Sequence, residues 1–133
     1  MPAKHTLTLG KEERIAGKKL VDQLFGGGDN HSLSAYPIRL VFAEQKRDEG
    51  EAAARILVSV PKRCFKRAVK RNRVKRQLRE SYRRHKAILT ERLSDDSGRQ
   101  MLLAFIWLDN RLHSSASVER RMVNLLERLA ERL

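Results

Sequence analysis

Residues 62–86 of this chain read KRCFKRAVKRNRVKRQLRESYRRHK and carry most of its charge. Thirteen of them are Lys or Arg and only Glu80 is acidic, which gives a local balance of +12. The formal net charge of all 133 residues is +13, so the rest of the chain is close to neutral. Such a dense cluster of like charges repels itself unless a polyanion neutralises it. The pattern indicates nucleic acid, whose phosphates exchange condensed counterions for Lys and Arg.

The same stretch has the periodicity of a helix. At about 100° per residue, the side chains suited to docking on a core collect on one face: Val74, Leu78, Ser81, Tyr82 and His85. The opposite face collects polar groups: Asn72, Lys75, Arg76, Arg79, Arg83 and Lys86. Solvated faces usually interleave acids at i,i+4, and this face hardly does. Cations also crowd the expected helix start, where the macrodipole favours an anion. Both features favour a nucleic-acid contact over a plain solvated face.

Two further helices are predicted, one on each side of the basic helix. An apolar stripe recurs over residues 8–25, after a loose arm at residues 1–7, and a run of glycines ends it. A second stripe recurs over residues 115–133, which begin with serine. A chain of 133 residues with 41% apolar content can bury one core. Residues 1–133 are therefore expected to form a single domain.

Three strands are predicted between these helices. Apolar and polar side chains alternate over residues 34–43, and residues 54–60 form a second run that a proline ends. With the charged loop 44–53 between them, these two strands pair most simply as an antiparallel hairpin. Residues 101–108 are continuously apolar, as expected for a central strand covered on both faces. The resulting order, α-β-β-α-β-α, indicates an α+β sandwich of helices against a sheet.

Cysteine usage and hydropathy predict the compartment. The single cysteine, Cys64, excludes an internal disulfide and any zinc site built from several thiolates, which indicates a reducing environment. The longest apolar run, residues 101–108, is far shorter than the roughly 20 residues of a membrane span. The first residues lack the apolar block of a signal peptide. We therefore expect a cytoplasmic protein that makes no membrane contact.

Side chains suited to catalysis are sparse. The histidines are scattered without metal-ligand spacing: His5, His31, His85 and His113. The vicinal acids Asp95 and Asp96 are more simply a turn former than a Mg²⁺ site. A nuclease made of protein alone would need clustered carboxylates that hold metals about 3.5–4 Å apart. The sequence therefore predicts a binding protein with no catalytic residue and no firmly bound metal of its own.

The basic stretch also resembles a known family. Residues 62–63, 66–68, 71–76 and 79–83 read KR, KRA, RNRVKR and RESYR. This succession is similar to the signature of the bacterial ribonuclease P protein component, in which an RNR box heads a helix. The resemblance implies a two-layer sandwich with a mostly antiparallel sheet, ordered α-β-β-(β)-α-β-α and classed as ribosomal protein S5 domain 2-like. It also implies a further short strand, sought between residues 31 and 36, and a left-handed β-α-β crossover.

In that family the catalyst is an RNA. The resemblance therefore implies an accessory subunit that binds the catalytic RNA and the 5′ leader of precursor tRNA, with no obligatory protein partner. Mg²⁺ held by the RNA subunit and the substrate would carry out the hydrolysis that makes the mature tRNA 5′ end. The residues implied to contact the catalytic RNA are Lys62, Arg63, Lys66, Arg67, Lys70, Arg71, Asn72, Arg73, Lys75, Arg76 and Arg79.

The leader is implied to lie in a cleft between the sheet and the basic and N-terminal helices. Aromatic side chains suit such a cleft, because stacking is worth roughly 1–3 kcal/mol per base. Phe25 is the first candidate, followed by Phe42 and Tyr36. Plain packing in the core is an equally open interpretation of these three rings.

Three other classes of protein remain open. A small ribosomal or other structural RNA-binding protein would have a similar size and charge. A DNA-binding regulator would place the basic helix in a major groove, although the chain lacks a second short helix just before it. A metal-dependent nuclease that acts alone is the weakest of the three, because no carboxylate cluster can be assembled.

Overall fold

The computed structural model of the chain describes residues 13–14, 30–48, 50–93 and 98–133. Four strands and three helices lie within these ranges: β1 (His31–Ala35), β2 (Ile38–Lys46), β3 (Ala54–Ser59), α1 (Ala68–His85), α2 (Ala87–Thr90), β4 (Arg99–Trp107) and α3 (Ser115–Ala130). The predictions for the arm 1–7, for Phe25 and for Asp95 and Asp96 lie outside the described residues. So does the helix predicted over residues 8–25, except for Glu13 and Arg14.

The four strands form one mixed sheet in the order β1-β2-β4-β3. The β1–β2 and β2–β4 pairs are antiparallel, whereas β3 runs parallel to β4. The α+β class and the mostly antiparallel sheet are therefore confirmed. The chain passes from β3 through α1 and α2 to β4, its parallel neighbour. The left-handed sense of that crossover stays a prediction.

The predicted hairpin between residues 34–43 and 54–60 is wrong. β4 lies between β2 and β3 and pairs with both, over nine residues with β2 and six with β3. A long loop does not specify the pairing of the strands it joins, because closing it costs nearly the same entropy for either arrangement. The apolar strand β4 has backbone N–H and C=O groups along both edges, and its central position lets them form hydrogen bonds with β2 on one side and β3 on the other.

A short first strand is confirmed between residues 31 and 36, as the resemblance implies. β1 pairs with β2 through a two-residue turn at Tyr36 and Pro37, so the predicted strand over residues 34–43 is divided there. Proline has no N–H for a ladder and lies well at such a turn. β2 then continues to Lys46, beyond the predicted end at residue 43.

The central strand β4 is buried on both faces, as its continuous apolar composition predicts. Its odd-numbered side chains join the main core under α1 and α3: Met101, Leu103, Phe105 and Trp107. Leu102 and Ala104 point to the opposite face, where they form a second buried cluster with Val41 and Ala43. Alternation along a strand sends successive side chains to opposite faces, so one strand contributes to both layers of packing.

The helices dock through the stripes that the sequence predicts. In α1 the buried side chains are Val74, Leu78, Ser81 and Tyr82, and in α3 they include Val118, Met122, Leu125, Leu126 and Leu129. The cap is Ser114, one residue before the predicted start of the helix, and its hydroxyl accepts a hydrogen bond from the backbone N–H of Ser117 at 3.1 Å. α1 and α3 pack side by side on one face of the sheet, which leaves the outer side of α1 open to solvent.

Candidate nucleic-acid interface

The loop that leads into α1 is anchored on the core by two apolar side chains. Cys64 and Phe65 are buried, and the Cys64 Sγ lies 3.7 Å from the backbone oxygen of Trp107. The Cys64 N–H also donates to the oxygen of Pro61 at 3.0 Å, which closes a turn. Because these residues point inward, the cations on either side of them are held at the surface: Lys62, Arg63, Lys66 and Arg67.

The first turn of α1 lacks its usual polar caps. Arg67 occupies the N-cap position without a side-chain hydrogen bond, and the first turn contains no acid. The first N–H groups of a helix have no intrahelical partner, and the macrodipole gives that end a partial positive charge. Cations at this position are unfavourable for the isolated protein, but they match an anion lying against it.

The eleven residues predicted to contact the catalytic RNA lie together on α1 and the loop before it. We call them the cationic strip: Lys62, Arg63, Lys66, Arg67, Lys70, Arg71, Asn72, Arg73, Lys75, Arg76 and Arg79. All of them are exposed except Arg71 and Lys75, which are half-buried. Within the described part of the chain, no acidic side chain forms an ion pair with any of them. The strip is therefore a solvent-facing surface of nearly uncompensated positive charge.

The last turn of α1 differs, because acidic side chains compensate its cations. Arg83 pairs with Glu80 one turn earlier in the same helix. Lys86 donates to the carboxylate of Glu13 at 2.8 and 2.9 Å in a largely buried contact. Arg83 and Lys86 share the polar face by periodicity, but their acidic partners separate them from the strip. The uncompensated charge is thus concentrated between residues 62 and 79.

Two arginines of the strip have distinct surroundings. The Nη1 of Arg71 donates to the backbone oxygens of Phe65 and Lys66, each at 2.8 Å. Partial burial, followed by the nearby charge of Arg14, lowers the pKa of Arg79 from its ordinary value. Arg14 reaches this position because its backbone bridges to Ile56 at the outer edge of β3. Two guanidinium groups held close together again favour an anion between them.

The two described aromatic candidates for the leader cleft, Tyr36 and Phe42, differ in exposure. Tyr36 is 61% exposed at the β1–β2 turn, where the Arg121 Nε donates to its backbone oxygen at 2.8 Å. Phe42 is only 5% exposed and belongs to the main core. Arg132 lies over its ring, 5.4 Å from the centroid, and the His31 ring is tilted against it at 5.6 Å. This burial speaks against stacking by Phe42 and fits the alternative, plain packing.

One surface that the sequence did not single out is an open cavity of about 260 Å³ on the face of the sheet opposite α1. It is lined by Asn30, His31, Ser32, Arg39, Val41 and Ile106. The alternation in β2 could have revealed this surface. Arg39 stands between the buried Ile38 and Leu40, so its side chain must point to the face of the sheet opposite theirs. The cavity thus combines an exposed cation with the buried Val41 and the half-buried Ile106, and a positive charge beside an open surface suits a strand of nucleic acid.

Among the described residues, no three His, Cys, Asp or Glu side chains lie close enough together to hold a metal ion. The two described histidines with carboxylate partners make pairwise contacts: His85 with Glu119 at 2.9 Å, and His113 with Asp109 at 2.8 Å. The hydrogen bond from His113 lowers the pKa of Asp109. Within the same ranges, no helix is both long and apolar enough to cross a membrane.

The fold and the cationic strip define a class, the small α+β proteins that bind nucleic acid through one basic helix. Comparison with known proteins narrows this class. The family model described as ribonuclease P matches residues 9–130. The ribonuclease P protein component of Porphyromonas gingivalis is 37% identical over 132 residues, which cover 98% of this chain and 92% of the relative. The ribonuclease P protein component of Chlorobaculum tepidum is 37% identical over 109 residues, which cover 78% of this chain and 70% of the relative.

Solved structures agree on the fold. The ribonuclease P protein from Thermotoga maritima superposes with a TM-score of 0.60 at 22% identity, covering 87% of this chain and 96% of that one. A Staphylococcus aureus ribonuclease P protein is described as a mutant with defective mRNA degradation activity. It superposes with a TM-score of 0.63 at 17% identity, covering 91% of this chain and 90% of that one. The chain belongs to the ribonuclease P protein family. It is accordingly an RNA-binding subunit of the holoenzyme that processes tRNA 5′ ends, and the resemblance seen in the basic stretch is confirmed.

Proposed function

We propose that the cationic strip is the surface through which this subunit binds the catalytic RNA of ribonuclease P. One observation carries the proposal: cations between residues 62 and 79 have no acidic partner in the described part of the chain, whereas those of the last turn of α1 do. An evolved solvent-facing helix would gain stability from interleaved acids. Their absence from one section of one helix is explained by a polyanionic partner that supplies the compensating charge.

Two polyanions, the catalytic RNA and the precursor tRNA, must approach each other closely in this reaction. Positive charge placed between them reduces their repulsion and releases condensed counterions, which makes the association salt-dependent. In the part of the strip that lies on α1, neighbouring charges on one face are spaced about 5–6 Å apart, similar to the separation of successive phosphates. The protein therefore contributes positioning and electrostatic screening.

We propose that the 5′ leader of the precursor is bound outside the strip, by exposed aromatic and apolar side chains. The exposed ring of Tyr36 supports this assignment, and Phe25 remains a candidate in the part of the chain that is not described. The open cavity beside Arg39 offers a second surface, where a cation adjoins Val41 and Ile106. Phe42 is left out, because its ring packs in the core.

We propose that hydrolysis depends on Mg²⁺ held by the catalytic RNA and the precursor, which would supply Lewis-acid chemistry for the reaction. The strip then has no acid or base role. We also propose that the subunit works in the cytoplasm without an obligatory protein partner.

Removal of two strip arginines tests this function. We expect R73A/R76A to weaken assembly with the catalytic RNA at moderate salt and to reduce the slope of log affinity against log salt by about 1.4–1.8, at roughly 0.7–0.9 per phosphate contact. Electrophoretic mobility shift or filter binding at several salt concentrations measures both quantities.

The matched control is R111A/R120A, which removes the same charge from exposed arginines outside the strip. It should leave the slope close to that of the wild type. Wild-type affinity of R73A/R76A, or an equal loss in both double variants, would refute the assignment of the strip, because the effect would then follow net charge alone.

A further inference from the structure

Arg71, the first arginine of the RNR box, is directed at its own chain. Its Nη1 donates to the backbone oxygens of Phe65 and Lys66, both at 2.8 Å. A terminal guanidinium nitrogen carries two hydrogens, so these two bonds commit both of them. Arg71 is half-buried, whereas Arg73, two residues further along the same helix, is exposed. The two arginines of one motif therefore have different surroundings.

The two accepting carbonyls lie just before the start of α1. Phe65 is buried in the core, whereas Lys66 and Arg67 are exposed, so the chain leaves the core and reaches the surface between residues 65 and 66. A segment that leaves the core and enters a helix without a side-chain cap has few local restraints. The Arg71 guanidinium restrains it, because the two bonds tie the segment to the second turn of α1.

We propose that Arg71 is a positioning residue, whose main role is to hold the loop of residues 64–67 so that Lys66 and Arg67 meet RNA phosphates in a preformed arrangement. The inference rests on the proposed function of the strip. Preorganisation raises affinity because binding no longer has to order the loop. A lysine at position 71 would keep the charge but not the planar fork that reaches two adjacent carbonyls.

The free protein provides the first part of the test. In hydrogen exchange without RNA, we expect the backbone amide of Cys64, which donates to the oxygen of Pro61, to exchange faster in R71A and in R71K, by about tenfold or more, which equals about 1.4 kcal/mol of lost protection. In R73A the same amide should exchange at the wild-type rate. Circular dichroism confirms that each variant is folded. Unchanged exchange in R71A would refute the restraint whatever the RNA does.

RNA binding provides the second part, with the catalytic RNA of ribonuclease P transcribed in vitro as the probe. We expect R73A to weaken binding and lower the salt slope by about 0.7–0.9, and R73K to restore most of the affinity. We expect R71A to weaken binding too, but R71K not to restore it. Wild-type affinity of R71K would overturn the positioning role, because charge alone would then suffice.

The two proposals fail separately. If neither R71A nor R73A changed RNA binding while the loop exchanged faster in R71A, the proposed function of the strip would be refuted, although the restraint on the loop would stand. If R73A weakened binding while R71A left both the exchange of the loop and the affinity unchanged, the proposed function of the strip would be supported. The positioning role assigned to Arg71 would be refuted.

Discussion

Tyr82 carries a polar atom whose burial costs free energy. The residue is fully buried on the inner face of α1, and its hydroxyl has no hydrogen-bond partner in the described part of the chain. Burial, with a further contribution from the charge of Glu13, raises the pKa of this phenol well above its ordinary value. The ring contributes packing, because it lies 5.8 Å from that of Phe105. The ring thus stabilises the fold, and the hydroxyl opposes it.

We therefore expect Tyr82→Phe to increase the free energy of unfolding by about 1–3 kcal/mol, since it removes an unpaired buried hydroxyl and keeps the ring. Urea unfolding at neutral pH measures the change. Tyr36→Phe is the matched control, because its ring is exposed, and it should leave the unfolding midpoint unchanged. A destabilised Tyr82→Phe would contradict the expectation and would show that the hydroxyl has a partner.

Polar contacts join α1 to α3 and to the residue that precedes the cap of α3. Glu119 of α3 accepts from His85 at 2.9 Å and lies 3.4 Å from Arg84. Two turns earlier in α1, Gln77 donates to the backbone oxygen of His113 at 3.0 Å. Contacts between helices hold α1 at a set rotation about its axis, which keeps the cationic strip outward.

The contact of Glu119 predicts a pH dependence of stability. The hydrogen bond from His85 and then the charges of Arg84 and His85 lower the pKa of Glu119 below the usual 4.5, although its partial desolvation opposes this. A carboxyl whose pKa is lower in the folded state contributes stability above its unfolded pKa. That contribution is lost as the pH falls through the folded pKa.

We expect Glu119→Gln to have a lower free energy of unfolding than the wild type at neutral pH. This difference should shrink below about pH 4.5, because the wild type then protonates Glu119 and loses its ionic contact with His85 and Arg84. Urea unfolding across this pH range measures it. Glu127→Gln, an exposed change on the same helix, is the control. A difference between Glu119→Gln and the wild type that stayed constant with pH would contradict this linkage.

Charge is distributed unevenly over the whole molecule. Residues 62–86 carry +12 of the net +13, and acids compensate the last turn of α1, so the positive field originates mainly at one end of one helix. A localised field orients the protein as it approaches a polyanion. In the described part of the chain, this surface is not accompanied by grouped metal ligands. A field that originates at one surface is thereby suited to orient RNA on the protein.

We expect purified full-length protein, freed of RNA by nuclease treatment, to leave precursor tRNA intact in Mg²⁺. Cleavage at the mature 5′ end should return when the catalytic RNA is added, because the reacting metal is proposed to be held by RNA and substrate. Gel analysis of end-labelled precursor distinguishes the two conditions, and R73A/R76A should need more catalytic RNA to reach the same extent. Cleavage by the protein alone would contradict the proposed division of roles.

Local patterns predicted the elements well, and long-range partners less well. The faces of α1 and the two-sided burial of β4 depend on near neighbours in the chain, so periodicity was sufficient. The pairing of β3 with β4 was missed, because periodicity marks which face of a strand is buried but not which strand lies beside it. Phe42 illustrates the same limit: alternation assigned its face, but not the packing of Arg132 over its ring.

Composition and spacing alone were enough to predict a basic helix that contacts nucleic acid, because charge density and helical period are properties of consecutive residues. The assignment to a ribonuclease P subunit came from the family resemblance of the same residues. The tertiary structure decided which of those cations remain free of intramolecular partners and can therefore contact RNA. Lys86 meets Glu13 across 73 positions of sequence, and Arg71 turns back to two carbonyls, while Arg73 stays free of such partners within the described residues. The contact of Lys86 depends on how the elements pack together, and that of Arg71 on the backbone path of the loop before α1; side-chain periodicity encodes neither.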